Sequence, residues 1–484
     1  MLAHLVKKEI LDSLLNQRFI ALAVFSIVLM PLSALINYQY FEARKTAFDS
    51  QFAEYNQQED HRYDNRAYRP PELLSVLARG TEPYMPLYFR FEDVSSGRST
   101  SAITPGNVEA LEFSMLSTFG SFDFLFLVQI VFSLLAVLLA FDMIAGEKER
   151  GTLKAVLANR VPRDSVILGK FLGGFSVLAM AYLIGFLLLY LVLAVSDSRF
   201  LYPEIVVRML FLVGLSTVFL AGFFSIGLMV STFCHSTRTA IVALLVVWVL
   251  LQLVIPKAGE LIAVVIHPVR SEHEIRTEIA TIIDEEREQS ENKAGQLYER
   301  FSGRNDLEGA FQLLSSDASW VPAFREQYQE EYLGMRQRMQ DRVREVQLTW
   351  EREKTRQKQL GRRIALISPA SALAFMLSDA AGTGDLAYSE YRTAIADYYQ
   401  VVDREVFARQ QSQSFRIRLG QSMIAGGFGG SEEEAPTDLP PFTVTPPRLD
   451  RVLIENALGL GLLAFYLIVP FLIGYFRFLR YDVR

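Results

Sequence analysis

Cysteine, tryptophan and histidine are scarce in this chain of 484 residues: Cys 1, Trp 3 and His 5. A lone Cys234 excludes an intramolecular disulfide, and near the end of an apolar stretch it reads as a structural thiol. The histidines, at 4, 61, 235, 267 and 273, have no metal-ligand spacing. No H-E-x-x-H, G-x-S-x-G or GxxxxGK[ST] occurs, and Gly169-Lys170 lacks the upstream glycine turn that cradles phosphates. The chain therefore has no visible means of hydrolysing ATP, and its energy must come from a partner or an ion gradient. A net charge of -6, with no basic stripe among aromatics, excludes a general nucleic-acid binder. Charge is also sparse within the apolar stretches. Asp123, Asp142 and Arg208 sit near their ends, and Gln129 and Gln252 are the main polar insertions. That leaves no proton relay of the kind a secondary transporter displays.

Apolar residues are abundant, at 51% with 35 Phe. They gather in stretches at 19–38, 122–144, 169–195, 207–230, 238–255 and 452–476, most near the ~20 residues that carry a helix across a bilayer. The fifth is the shortest. It either stops near Pro256 or continues, kinked and tilted, toward Ile266. Residues 1–18 place Leu5, Ile10, Leu11, Leu14 and Leu15 among charges at helical spacing. They read as an amphipathic interfacial helix, or as a plain start to the first span. No small-x-small cleavage site follows that span, so it reads as a retained anchor rather than a signal peptide.

Lysine and arginine orient the chain. Lys7, Lys8 and Arg18 precede span one; Lys148, Arg150, Lys154, Arg160, Arg163 and Lys170 lie between spans two and three; Arg238 lies between four and five; Arg477, Arg480 and Arg484 follow span six. Six spans put all of these on one side, the cytoplasmic side, with both termini. Regions 39–121 and 256–450 are then extracytoplasmic, with a short turn at 196–206.

In the first outer region, the run from Phe41 to Tyr68 reads as a helix extending span one until Arg69-Pro70-Pro71. A short helix closed by Gly80, a strand around 87–94 and an amphipathic helix from Glu109 to Thr118 follow. In the second, Ile275, Ile279, Ile282 and Ile283 form one helical stripe; Tyr328, Tyr332, Met335, Met339, Val343, Val346 and Trp350 form another. Together they predict a long antiparallel hairpin. Ile364–Leu377 is too short to span, and reads as a re-entrant or interfacial element or as a segment buried in the domain. A helix from Leu386 to Gln413 and a flexible linker over 425–447 complete the region. The fold class is thus an all-α membrane protein of six transmembrane helices, with a mainly helical extracytoplasmic domain containing the long hairpin.

The segment 145–168 carries Gly146-Glu147-Lys148-Glu149-Arg150-Gly151-Thr152-Leu153, with Lys170 at the start of the third span. This resembles the G-E-[KR]-E-x-G-T-[LF] signature of ABC-2-type transporter permeases, in the segment linking their second and third helices. Leu366-Ile367-Ser368-Pro369-Ala370-Ser371, Ala381-Gly382-Thr383-Gly384 and the terminal Phe478-Leu479-Arg480-Tyr481-Asp482-Val483-Arg484 resemble a narrower DUF3526-like branch. That branch has a large extracytoplasmic insertion and is related to nitrous-oxide-reductase maturation and gliding permeases.

The resemblance implies the six-helix ABC-2 permease fold and a site that couples to an ATPase. The site comprises Gly146, Glu147, Lys148, Glu149, Arg150, Gly151, Thr152, Leu153, Val156 and Leu157. Glu147, Glu149 and Arg150 would touch the rim of a groove on the ATPase. Leu153, Val156 and Leu157 would anchor in it, and Gly146 and Gly151 would allow tight turns. An ordinary solvated loop is the plain alternative. The implied partners are a cytoplasmic ABC ATPase dimer and a second permease copy or paralogue. No cofactor belongs to this chain; ATP and Mg would be bound by the ATPase. Two readings of function follow: export of an unidentified substrate, or movement of the outer domain against a periplasmic protein partner without transmembrane transport. A passive receptor or scaffold is a third, and leaves the coupling-like loop without a purpose.

Overall fold

The structure is a computed structural model that describes residues 2–14, 17–57, 65–91, 103–105, 122–158, 161–303, 319–407, 414–419, 422–427 and 442–481. The N-terminal helix α1 (Leu2–Leu14) precedes α2 (Gln17–Gln57). Then come α3 (Phe124–Glu149), α4 (Thr152–Ala158), α5 (Arg163–Ser196), α6 (Pro203–Phe233) and α7 (Thr237–Ile266). Outside the spans lie α8 (Glu272–Ser302), α9 (Val321–Ala365), α10 (Pro369–Ala380), α11 (Asp385–Val402) and α12 (Leu449–Glu455), and α13 (Ala457–Leu479) ends the described fold. Among the described residues, 6 helices are long and apolar enough to cross a membrane: α2, α3, α5, α6, α7 and α13.

Lipid offers no hydrophobic drive for one helix to leave it for another, so close packing must hold the bundle together. Glycine supplies it. A Cβ on Gly227 of α6 would stand 2.5 Å from the Cβ of Ala140 on α3, and one on Gly185 of α5 2.8 Å from the Ser26 carbonyl on α2. Helix α6 is the centre, with 72% of its most apolar window buried; α7 is the most peripheral, at 17%.

The fifth helix takes the longer of the two courses open to it: α7 runs on past residue 255, through Pro256, to Ile266. A π turn over Leu250–Val254 makes this possible. The Ile255 amide bonds back to the Leu250 carbonyl. The Leu251 carbonyl thereby loses its usual partner, and Pro256, next in the π register, has no N–H to offer. The Ser368 hydroxyl donates to Leu251 O instead. Ser368 also caps α10, whose Leu373 and Leu377 are wholly buried. The apolar segment 364–377 is therefore the end of α9, a cap and a short helix packed among α6, α7 and α13.

Helices α8 and α9 form the hairpin. Ile275, Ile279, Ile282 and Ile283 pack on Met335, Met339 and Val343, as the two stripes require. The 45 residues of α9 reach about 68 Å. Met339 is fully buried, so Met339→Asp should open this seam: desolvating the carboxylate costs several kcal/mol. Limited proteolysis should then cut α8 and α9 faster than in wild type while the spans stay protected.

Smaller elements depart from expectation. The extension of span one is helical only to Gln57 among the described residues, because Asn65–Tyr68 is strand β1. It pairs antiparallel with β2 (Tyr88–Phe91), which pairs with β3 (Ile103–Pro105). The helix expected at Glu109–Thr118 lies outside the described residues. Helix α11 ends at Val402 and passes through a π turn; strands β4 (Ser414–Leu419) and β5 (Ser422–Gly427) follow. The stretch expected as linker is partly ordered, with Phe442 and Val444 packed against Tyr391 and its neighbours.

Candidate functional site

The motif begins inside α3 and ends in α4; Glu147, Lys148 and Leu153 face the protein, while Glu149, Arg150 and Thr152 are exposed. Lys170 of α5 is 3% exposed and lies 2.7 Å from Glu147 and 3.1 Å from Glu9 of α1. Two carboxylates thus share one buried ammonium, and α1, α3 and α5 meet there. Glycine makes room: a Cβ on Gly173 would stand 2.6 Å from the Cβ of Glu9. Glu147 therefore belongs to an ion cluster within the chain.

Lys148 donates to the carbonyls of Thr232 and Cys234 (3.2 Å for the latter), which cap the C-terminus of α6, and its ammonium sits over the Tyr481 ring. Cations favour that end of a helix because its free carbonyls are negative. Glu149 accepts from the Thr237 amide at 2.8 Å and its hydroxyl at 2.7 Å, at the positive N-terminus of α7. Ser231 of α6 accepts from the amides of Ile144 and Ala145 and donates to Phe141 O. Arg163 of α5 donates to the carbonyls of Leu479 and Tyr481. The motif ties together the ends of α1, α5, α6, α7 and α13.

Gly146 is helical, and it is close packing against Asp142 and Thr237 that disfavours a side chain there. Gly151 does turn, at φ +75°, and separates α3 from α4. Leu153 lies inside the bundle. It is 0% exposed, packed with Ile144, Val166, Ile167, Leu228 and Phe478, and Val156 and Leu157 lean on the same cluster. The apolar side of α4 is spent on the bundle. Its exposed side presents Thr152, Lys154, Ala155 and Ala158, beside exposed Glu149 and Arg150. Sequence reasoning missed Glu9, Ser231 and Thr237 as parts of the site. A lysine at the entry to an apolar span, with a carboxylate just past the end of the previous span, was the available signal.

A second polar cluster lies at the opposite ends of the spans. Asp379 accepts from Asn456 at 2.9 Å and from the Leu386 amide at 3.0 Å, and Arg362 bridges both side chains. Thr383 of the Ala381–Gly384 turn donates to Ala78 O, and its carbonyl accepts from the Thr81 amide and hydroxyl. Close by, Glu82 is buried between Arg69 and Arg44. Burial, then the neighbouring Glu82 charge, pushes Glu72 up to about 7, against the opposing pull of Arg69 and Arg208. Its proton is held more tightly in the fold than in the unfolded chain. The stability it contributes is full below about 4.5 and is lost as pH rises through about 7. A tenfold tighter hold on a proton is worth about 1.4 kcal/mol. Melting between pH 5 and 8 should therefore fall in wild type and flatten in Glu72→Gln.

Among the described residues, six helices long and apolar enough to cross a membrane, with the signature segment clasped between the second and third, define the architecture of a transporter permease. The family model described as ABC-2 family transporter protein matches residues 3–483, and the chain belongs to that family. It is a multi-pass inner-membrane protein. Similar proteins are the probable ABC transporter permease protein NosY of Pseudomonas aeruginosa, 53% identical over 53 residues, and that of Stutzerimonas stutzeri, 51% identical over 53 residues. Each match covers 11% of this chain and 19% of the relative, so the chain spans about a fifth of the length of the curated relatives it matches.

Proposed function

We propose that this chain is the membrane half of an ATP-driven machine, with an ABC ATPase dimer docked on the exposed side of α4. A second permease copy or paralogue completes it, and the ATPases bind the ATP and Mg. Both termini and α4 lie in the cytoplasm; the hairpin lies in the periplasm. The supporting observation is the division of labour in the motif. Glu147, Lys148 and Glu149 grip the ends of neighbouring helices, while Lys154, Ala155 and Ala158 face outward. A push on α4 would reach α1, α5, α6, α7 and α13 together.

The output is either export of a substrate or movement of the hairpin against a periplasmic protein. The rigid seam and length of α9 favour the second. Lys154→Glu with Ala158→Asp should preserve folding and lower ATPase co-purification at least about tenfold, because both alter only the outward side. Undiminished binding, or labelling of a cysteine at 155 from outside intact cells, would remove the assignment. Substrate export by a chain lacking 271–360 would favour transport over hairpin movement.

A further inference from the structure

Helix α7 is the span least enclosed by its own bundle, and specific contacts hold it at three levels. At its N-terminus, Glu149 of the coupling motif accepts from the Thr237 amide and hydroxyl. At mid-length, Trp248 and Gln252 donate to Ser133 of α3, 2.9 and 2.8 Å away, beside a π turn in each helix. At its far end, α7 crosses the root of α9. A Cβ on Gly259 would stand 2.8 Å from the Gly361 carbonyl and 2.9 Å from the Ala365 nitrogen; one on Gly361 would stand 3.3 Å from the Ala263 Cβ. Each helix offers two small residues four apart, Gly259 and Ala263 against Gly361 and Ala365, so the backbones meet almost directly.

Beyond the crossing, other contacts extend the hold. Gln357 of α9 donates to His267 O at 2.6 Å, and Trp350 donates to Arg270 O at 2.9 Å. Arg270 pairs with Glu353 and Glu278, joining the chain after α7 to both helices of the hairpin. From Thr237 to the tip of α9 there is thus a path of helix and close contact with no flexible connection.

We propose that α7 is a lever: the coupling motif moves its N-terminus, the Ser133–Trp248–Gln252 contact is its pivot, and the Gly259–Gly361 crossing carries the hairpin with it. This deepens the functional reading above and rests on it. A rod pivoting near its middle moves its two ends oppositely. The 30 residues of α7 span about 45 Å, and the longer α9 enlarges the excursion at the hairpin tip. The peripheral position of α7 leaves its ends to tilt about the pivot, where Ser368 also holds the Leu251 carbonyl.

The test uses the full permease with its ATPase, Cys234→Ser, and bioorthogonal distance labels at exposed Gln289 on the hairpin and Leu201 between α5 and α6. Adding ATP should shift the distance between the labels. Ala263→Cys with Gly361→Cys places Cβ atoms close to disulfide spacing. Oxidising this pair locks the crossing, and the shift should survive. Gly259→Val forces the crossing apart, and the shift should be lost while ATPase binding and basal turnover stay within about twofold. Loss of the shift on oxidation would make the crossing a hinge and overturn the lever. So would an undiminished shift in Gly259→Val, or ATP turnover with no shift at all. An unmodified chain that never binds an ATPase overturns the functional reading, and the lever with it. The oxidised pair keeps the test decisive should Gly259→Val fold poorly.

Discussion

Lys170→Met should destabilise the permease by about 1–3 kcal/mol and release α1 from the bundle, because two half-buried carboxylates would be left facing each other with no cation between them. Thermal unfolding of the purified chain reads the first effect, and protease access to residues 2–14 reads the second. The charge-free triple variant, Lys170→Met with Glu9→Gln and Glu147→Gln, should recover most of the loss. Replacing a buried ion cluster as a whole is often nearly neutral, whereas removing one member is not. ATPase coupling should nevertheless stay impaired in the triple variant, since the grip between α1, α3 and α5 is gone. Wild-type stability in Lys170→Met alone would mean that the three groups do not share this site.

Leu153→Asp should abolish recovery of folded permease rather than merely weaken docking. Leu153 is completely enclosed by Ile144, Val166, Ile167, Leu228 and Phe478, and a carboxylate there has no partner. The expected penalty exceeds about 4 kcal/mol, larger than for any outward substitution on α4. Size-exclusion profiles in detergent should show aggregate for Leu153→Asp and a single folded peak for Lys154→Glu. A folded Leu153→Asp that had lost only ATPase binding would restore the view of Leu153 as an anchor in the ATPase groove.

The burial of Leu153 shows which parts of the molecule sequence could convey. Long runs such as Pro203–Phe233 declare a span by length alone, and the hairpin stripe from Ile275 to Ile283 repeats often enough to define a face. Helix α4 has 7 residues. In so short a helix, Leu153, Val156 and Leu157 mark an apolar side without saying whether it turns toward its own bundle or toward a partner. The same limit applies to Pro256. Proline normally stops a helix, and only Ser368, distant in sequence, removes the objection. The Glu9–Lys170–Glu147 cluster is likewise tertiary: each residue is an ordinary charge until α1 folds back on α5.

The hydroxyl that completes α7 also gives the protein a history. Ser368 follows Leu251 by 117 residues. At ~5–20 residues per second, a ribosome delivers it roughly 6–23 s after the carbonyl it must satisfy. During that interval the fifth helix is a nascent chain with an unmet acceptor at mid-length, and the whole hairpin must be made before the missing donor returns to it. Biogenesis therefore proceeds in a set order, in which the inserted helix waits for a segment made later. A substitution at Ser368 would act first on the yield of inserted protein and only afterwards on its activity.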